Sequence, residues 1–193
     1  MENRRITDLD TLKAMAHPLR LKLLRALYQT RAATASQLAE HVDEAVSLVS
    51  YHLRKLAAHG LIEEAEPQSS DGRERWWQSV VRGYSIRDED FRDAPERAAA
   101  YTVFTRSAFH DHVEQYERYL DEQWAWPPEW GAAAFSAQSL PSLTAGELAE
   151  LSQELLEVIE KWQRRGEAAV GAGDTEGREN VHLHLFGFPA RRP

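Results

Sequence analysis

The chain has 193 residues and a formal net charge of −8, and its 42% hydrophobic content is enough to bury the core of one large or two small domains. It contains no cysteine, which excludes disulfides, thiolate nucleophiles and metal sites with thiolate ligands. No apolar run reaches the roughly 18 residues that span a bilayer, and the N-terminus lacks the apolar stretch of a signal peptide. We therefore expect a cytoplasmic protein that does not enter membranes.

Charge divides the chain into two regions. Residues 1–87 hold 13 Lys and Arg against 11 Asp and Glu, whereas residues 88–193 hold 10 against 20. A protein that is acidic as a whole can still attract phosphates if its basic groups share one face. We therefore predict a DNA-binding domain over residues 1–87 and a region for dimerisation and effector binding over residues 88–193.

The first predicted helices flank a proline. A short helix over residues 6–16 is interrupted at His17–Pro18, because proline is tolerated in the first turn of a helix but not in its middle. The helix that follows has leucines at the three-to-four spacing of a buried stripe. These leucines are Leu19, Leu23, Leu24 and Leu27.

The next segment has the pattern of a helix, a turn and a second helix. Thr34 and Gln37 form a capping-box pattern that starts the first of these helices, and Asp43 in the turn is predicted to cap the second. The second helix covers residues 47–59 and ends at Gly60, since glycine adopts the left-handed conformation of a helix end most easily.

The second of these helices has two different faces. On a helical wheel, an apolar face lies opposite a polar face that has no carboxylate. Hydroxyls, an aromatic ring and a cation suit a helix in a DNA groove, where phosphates and base acceptors dominate. The apolar face comprises Val49, Leu53, Leu56 and Ala57, and the opposite face comprises Ser47, Tyr51, Arg54 and Ala58.

Two strand-like segments follow the helix pair. Residues 61–65 and 75–80 are separated by a polar stretch with Asp71–Gly72, a dipeptide typical of tight turns. This pattern predicts a hairpin. Arg73 and Arg75 lie where the tip of such a hairpin would meet a minor groove or the adjacent phosphates.

These motifs occur together at separations that resemble the winged-helix repressors of the ArsR type, over about residues 8–82. The matching segments are AMAHPLRLKLLRAL at 14–27, ASQLAEHV at 35–42, VSYHLRKLAAHGLIEE at 49–64 and DGRERWW at 71–77. The resemblance implies a dimeric winged helix whose second motif helix enters the major groove, and whose release from DNA is controlled by an effector. It implies DNA contacts by Ser47, Leu48, Ser50, Tyr51, Arg54 and Lys55 in that helix, and by Arg73 and Arg75 in the wing.

The chain departs from this family pattern in two ways. The family's metal sensors bind through cysteine, and because this chain has none, thiolate sensing is excluded. The turn of the motif has Asp43 where glycine is often found, which asks for a slightly different turn but not for a different fold.

A long helix is predicted from the capping pattern Asp93–Glu96 to about Gln123. Its one apolar stripe extends over about 28 residues, or about 42 Å at 1.5 Å per residue. Such a helix packs either against the same helix of a second copy, the reading we favour, or against the core of its own chain. The stripe comprises Tyr101, Phe104, Ala108, Val113, Tyr116, Leu120 and Trp124.

The remaining elements follow a proline-rich break. We predict a short strand at 132–140, a helix that begins at the capping pattern Thr144–Glu147, and an alternating strand at 180–188. The predicted fold class is therefore mainly α with a small β component. It consists of an N-terminal winged helix-turn-helix followed by a long helix and a strand–helix–strand unit.

An aromatic cluster surrounds the proline-rich break. Clustered tryptophans usually fill a core, but irregular backbone beside a helix bundle could also leave a pocket for a hydrophobic or aromatic effector. The members of the cluster are Trp124, Trp126, Trp130 and Phe135.

Histidines offer a weaker candidate site. His182 and His184 share one face of the predicted strand and could bind a metal with a third ligand such as His110 or His112. Histidines on a half-buried strand more often pack or form hydrogen bonds, and the two helical histidines point apart. We therefore predict no metal site.

The sequence contains no GxSxG, no phosphate-binding glycine loop and no HExxH, so we expect neither an enzyme nor a cofactor. The leading hypothesis is a homodimeric transcriptional regulator, more a repressor than an activator, that binds double-stranded DNA at an inverted repeat. Its two recognition helices would lie in successive major grooves about 34 Å apart. The alternatives are a winged-helix module that binds protein and a histidine-based metal-responsive regulator.

Overall fold

The computed structural model describes residues 4–68, 74–80 and 83–190. The chain forms two compact units, Met1–Ala125 and Trp126–Pro193. No helix in the described ranges is long and apolar enough to cross a membrane.

The described part of the first unit contains α-helices and short strands. Its described α-helices are α1 (Leu9–Met15), α2 (Pro18–Thr30), α3 (Ala35–Val42), α4 (Val46–Ala58) and α5 (Pro95–Glu122). Its described strands are β1 (Arg4–Arg5), β2 (Ala32–Thr34), β3 (Ile62–Ala65), β4 (Trp76–Ser79) and β5 (Tyr84–Ser85).

The predicted hairpin is present and gains a third strand. β3 and β4 pair antiparallel with Ala65 opposite Trp76, and β2 pairs with the other edge of β4 with Thr34 opposite Trp76. β2 was not predicted, because three residues between two helices give no alternating pattern. β1 pairs parallel with β5 in a separate two-stranded sheet.

The starts of α2 and α3 follow the predicted local signals. Pro18 occupies the first turn of α2, and the His17 ring accepts a hydrogen bond from the Leu19 amide at 3.2 Å. α3 begins with a complete capping box, in which Thr34 accepts from the Gln37 amide and Gln37 accepts from the Thr34 amide. Both predicted boundaries are therefore confirmed.

The turn between α3 and α4 differs from the prediction. Asp43 does not cap α4; it follows α3 in the left-handed conformation, with φ 53° and ψ 52°. Aspartate tolerates this region better than most residues, so it can replace the glycine that often stands in such a turn. α4 is preceded by Ala45, which offers no side-chain cap. Gly60, with φ 63°, follows its C-terminal end as predicted.

α5 belongs to the first compact unit, which extends to Ala125, and the functional division predicted after residue 87 stays a prediction. The N-terminal half of α5 buries Ala100, Phe104 and Ala108 in the same core as α1 and α2. The predicted apolar stripe of α5 is therefore divided. Its N-terminal members pack within the chain, whereas Tyr116 and Leu120 are 49% and 41% exposed.

Within the second unit, the described α-helices are α6 (Pro128–Ala133) and α7 (Ala145–Gly171). α7 begins with the predicted capping box of Thr144 and Glu147. The strands predicted at 132–140 and 180–188 are wrong: neither range contains a strand. A strand is stabilised by its ladder of hydrogen bonds to a partner, and alternation of side chains alone supplies none. The coarser fold class, mainly α with a small antiparallel sheet, is confirmed.

Candidate nucleic-acid interface

α4 presents one buried and one exposed face, as its sequence predicts. Val49, Leu53 and Leu56 are fully buried and fix the helix on the core. The opposite face is open to solvent and carries no carboxylate, since α4 contains neither Asp nor Glu. On or beside this face Ser50 is half-buried, and the exposed members are Ser47, Leu48, Tyr51, Arg54 and Lys55.

Two cations on this face lie along their own helix. Arg54 donates from Nε to the Ser50 carbonyl oxygen at 3.2 Å, and Lys55 Nζ lies 5.8 Å from the centroid of the Tyr51 ring. Both residues are exposed, so their charged groups remain available to an anionic partner. In DNA recognition, arginine pairs with guanine, and lysine and hydroxyl groups contact phosphates.

A groove of about 350 Å³ lies beside α4 and the hairpin of β3 and β4. It lies between the N-terminus of α3, the middle of α4 and strand β4. Its lining combines hydroxyls, two arginines and one carboxylate. The lining residues are Thr34, Ala35, Ser36, Ser50, Arg54, Glu74, Arg75 and Trp77.

Within this groove, Arg75 is held against the sheet. Its Nε lies 3.2 Å from a carboxylate oxygen of Glu64, and its guanidinium lies 5.6 Å from the centroid of the Trp77 ring. Three of the predicted DNA contacts, Ser50, Arg54 and Arg75, thus share one surface. Arg73, the other predicted wing contact, lies outside the described residues.

The C-terminal end of α4 is fixed by a residue that the sequence did not indicate. Arg4 donates from Nη1 to the Gly60 carbonyl oxygen at 2.8 Å and to that of His59 at 3.3 Å. A cation at this end complements the partial negative charge of the helix terminus. Arg4 therefore ties the C-terminal end of α4 to strand β1, a contact across 56 positions that no local pattern predicts.

A pair of histidines lies at the buried face of α4. His52 is 5% exposed, and its ring lies 4.4 Å from that of His17, centroid to centroid. Burial lowers the pKa of both imidazoles, and the Arg20 charge lowers them further. Its position three residues after Val49 placed His52 on the buried face of the helical wheel, a signal that could have identified it.

The predicted aromatic cluster remains largely accessible. In the second unit, Trp126 and Trp130 contact each other edge to face at 6.3 Å, and Phe135 is 79% exposed. Trp124, at the end of the first unit, is 89% exposed. The effector pocket at these residues remains a prediction.

The histidines that could have bound a metal do not gather a third ligand. The rings of His182 and His184 stack with their centroids 5.9 Å apart, although the strand on which they were predicted to share a face is absent. Within residues 4–68, 74–80 and 83–190, no group of three His, Asp or Glu side chains is placed to hold a metal ion. This leaves the metal-responsive alternative without a site in the described chain.

Comparison with protein families assigns the first unit. The model of a family described as a helix-turn-helix domain matches residues 15–65, which contain α2, α3 and α4. These residues form a helix-turn-helix domain, and the resemblance expected from the sequence motifs is confirmed for this part of the chain.

A curated relative matches this domain. Over 49 residues, or 25% of the chain, the sequence is 41% identical to the transcriptional repressor PagR of Bacillus anthracis. The match spans 50% of the length of PagR. A match over half of that protein does not carry its activity over to this chain, so repression is stated here of PagR alone.

One similar solved structure is that of a possible transcriptional regulator for arsenical resistance, which is 25% identical to this chain. The alignment covers 56% of this chain and 94% of that protein, with a TM-score of 0.33. The zinc-responsive MarR family member ZitR of Lactococcus lactis is 18% identical, covers 77% of this chain and 74% of its own, and has a TM-score of 0.29. ZitR in complex with DNA is 19% identical, with coverage of 78% and 74% and a TM-score of 0.28. TM-scores this low do not establish a shared overall fold.

Proposed function

We propose that the chain is a cytoplasmic transcriptional repressor that binds double-stranded DNA as a homodimer. The observation that carries this proposal is the exposed face of α4, which has no carboxylate and continues into the groove that contains Arg54 and Arg75. A helix fits the major groove of B-DNA, where base edges present acceptors to arginine and hydroxyl groups. The wing would then lie over the adjacent backbone or minor groove.

The residues of this surface divide into two roles. Arg54 reads a base in the major groove, because its guanidinium can donate two hydrogen bonds to guanine. Ser47, Leu48, Ser50 and Tyr51 contact base edges or sugar beside it. Lys55, Arg73 and Arg75 position the protein on phosphates, contacts that add affinity without sequence information.

The homodimer is supported by the part of α5 that follows Ala108, the last buried residue of this helix. The exposed large apolar and aromatic side chains of this part are Phe109, Tyr116 and Leu120. A second copy would cover this surface and place two recognition helices about 34 Å apart, the repeat of an inverted operator.

Repression and its release by an effector are each supported by a separate observation. The similarity to PagR over the helix-turn-helix domain supports a repressor. Release by a hydrophobic or aromatic small molecule is supported by the accessible aromatic groups Trp124, Trp126, Trp130 and Phe135. Tryptophan fluorescence titrated with an apolar ligand panel tests this, and unchanged emission across the panel would remove the effector.

The test of DNA binding begins with genomic fragments captured by the purified full chain. Affinity for a captured fragment and for unrelated DNA is then measured over a range of salt. Neutralised phosphates make the logarithm of the binding constant fall steeply with the logarithm of salt. A protein-binding winged helix would not show this slope, so a flat dependence would favour that alternative.

Two variants assign the roles. We expect Arg54→Ala to lose about 1–3 kcal/mol on the captured fragment only, and Arg73→Ala to weaken binding to every sequence alike. Arg164→Ala, an exposed arginine of α7, serves as the control for lost positive charge. Wild-type affinity in both test variants would exclude this docking mode.

A further inference from the structure

The apolar face of α7 is open. No residue of α7 is buried, and its large apolar side chains are exposed by 38% at Leu151, 40% at Leu155, 53% at Val158 and 57% at Trp162. At the start of this face, Gly187 of the C-terminal segment lies against Leu148. An exposed apolar stripe along a helix that also carries many charged residues indicates an interaction surface.

The spacing of this stripe is that of a coiled coil. Consecutive members are separated alternately by three and four residues, which places them at the a and d positions of a heptad repeat. The positions are Leu148, Leu151, Leu155, Val158, Trp162, Arg165 and Ala169. Arg165 is the polar member near one end, and its guanidinium lies 4.9 Å from the centroid of the Trp162 ring.

The charges beside the stripe select the partner and its direction. Glu154 and Lys161 occupy successive g positions on the same side of the seam. In a parallel pair of α7 helices they would face Ile159 and Gly166 of the second copy, and neither would find an opposite charge. In an antiparallel pair with Leu155 opposite Val158, Glu154 of each copy faces Lys161 of the other.

Other antiparallel registers are unfavourable. A shift by one heptad in either direction places Glu154 opposite Glu154, or Lys161 opposite Lys161, of the second copy. Like charges across a seam destabilise the pairing, and opposite charges at these positions set orientation and register. One arrangement therefore satisfies both the apolar stripe and the charges.

We propose that α7 pairs with α7 of a second copy of this chain as an antiparallel coiled coil centred between Leu155 and Val158. This surface is distinct from α4 and from the exposed part of α5, and it does not depend on DNA binding. It also adds burial to the second unit, in which no side chain of residues 126–190 is buried, and a unit of this size needs an added source of burial for stability.

The absence of cysteine allows a direct test on the full chain. Single spin labels are introduced at Glu157→Cys, near the centre of the proposed seam, and at Ala168→Cys, near its end. In the antiparallel pair, the labels at position 157 of the two copies are nearly level along the axis, so their distance is little more than the width of two packed helices. The labels at position 168 of the two copies are about 34 Å apart along the axis, at 1.5 Å per residue. Pulsed electron paramagnetic resonance measures both distances in the associated protein.

Charge reversal then tests the register. In the Glu157→Cys background, Glu154→Lys or Lys161→Glu alone replaces two attractive contacts by two repulsive ones. We expect the ratio of molecules that show the short distance between labels at position 157 to molecules that do not to fall about tenfold. The double reversal restores opposite charges across the seam and should restore the ratio. Glu150→Lys, with the same charge change away from the seam, is the matched control and should leave it unchanged.

Three results would overturn the proposal. Equal short distances at both label positions would mean a parallel pair. A missing short distance at position 157 would mean that α7 does not pair with itself, even in a dimer formed through α5. A double reversal that stays as low as the single reversals would mean that Glu154 and Lys161 do not face each other. DNA affinity is measured separately, so none of these results bears on the docking of α4.

Discussion

The two units of the chain use the same local helix signals with opposite results for burial. α3 begins at the capping box of Thr34 and α7 at that of Thr144, and both are followed by apolar residues at helical spacing. In the first unit Leu53 of α4 is fully buried, whereas in the second Leu155 of α7 is 40% exposed. Local pattern thus determines a helix and its faces, and burial depends on what else the chain brings to that face.

The first unit supplies several partners for every apolar face. α2, α3 and α4 pack together, strands β2, β3 and β4 close one side, and the first half of α5 covers α1 and α2. In the second unit the described helices are α6 and α7, joined by segments without regular structure. We therefore expect stability to be concentrated in the first unit, and the following substitutions test that difference in matched pairs.

The largest difference is expected for leucine truncation. Leu53→Ala should lower the free energy of unfolding by about 2–5 kcal/mol, because it removes buried methyl groups and leaves a cavity. Leu155→Ala should change it by less than about 0.5 kcal/mol in dilute protein, since the side chain is already exposed. Chemical denaturation followed by circular dichroism measures both. A similar loss in both variants would mean that α7 is buried against a partner under those conditions.

A smaller difference is expected for ion pairs. Arg25 of α2 and Asp111 of α5 meet at 2.6 Å with side chains only 18% and 12% exposed. Arg25→Ala leaves the Asp111 carboxylate in a largely dry site and should cost about 1–3 kcal/mol. Arg164→Ala on α7 removes a solvent-exposed pair at 3.5 Å and should cost less than about 0.5 kcal/mol. Equal small effects would show that α5 contributes little to the first unit.

The parts of the fold that could be predicted have signals within a few residues. The capping box at Thr34, the proline at the start of α2 and the glycine after α4 each act on a single helix end, and all three are confirmed. The two faces of α4 follow from helical periodicity, so the exposed surface proposed for DNA was located from sequence alone. Whether its residues contact DNA remains a prediction.

The features that were missed depend on residues far apart in the chain. Arg4 holds the end of α4, and His17 contacts His52, through spatial proximity that the order of residues does not encode locally. The sequence left the packing of α5 open between a partner chain and its own core, because its stripe fits both, and the structure places the N-terminal part of the stripe in its own core. The strand predicted at 180–188 failed since alternation cannot report whether a pairing strand exists.

The two capping boxes offer a third matched pair. Thr34→Ala removes the hydroxyl that accepts a hydrogen bond from the Gln37 amide. It should lower the free energy of global unfolding by about 0.5–2 kcal/mol, because α3 is part of the cooperative core. Thr144→Ala should leave global unfolding unchanged and only increase amide hydrogen exchange in the first turn of α7. A shift of the global transition by Thr144→Ala would mean that the two units unfold together.

The smallest effect is a pH dependence confined to the first unit. Burial holds the pKa of His52 below its ordinary value, and the charges of a protonated His17 and of Arg20 lower it further. Between about pH 7.5 and pH 5.5 the unfolded chain binds protons at these imidazoles before the folded chain does, so the free energy of unfolding falls as pH falls through about 6.5.

His52→Phe should flatten this dependence, and at neutral pH it should cost little because the Nδ1 of His52 has no hydrogen-bond partner among the described residues. His41→Phe, the same change at an exposed position of α3, should leave the slope as it is in the wild type. A slope unaltered by His52→Phe would assign the acid sensitivity to other groups and leave the histidine pair with a packing role alone.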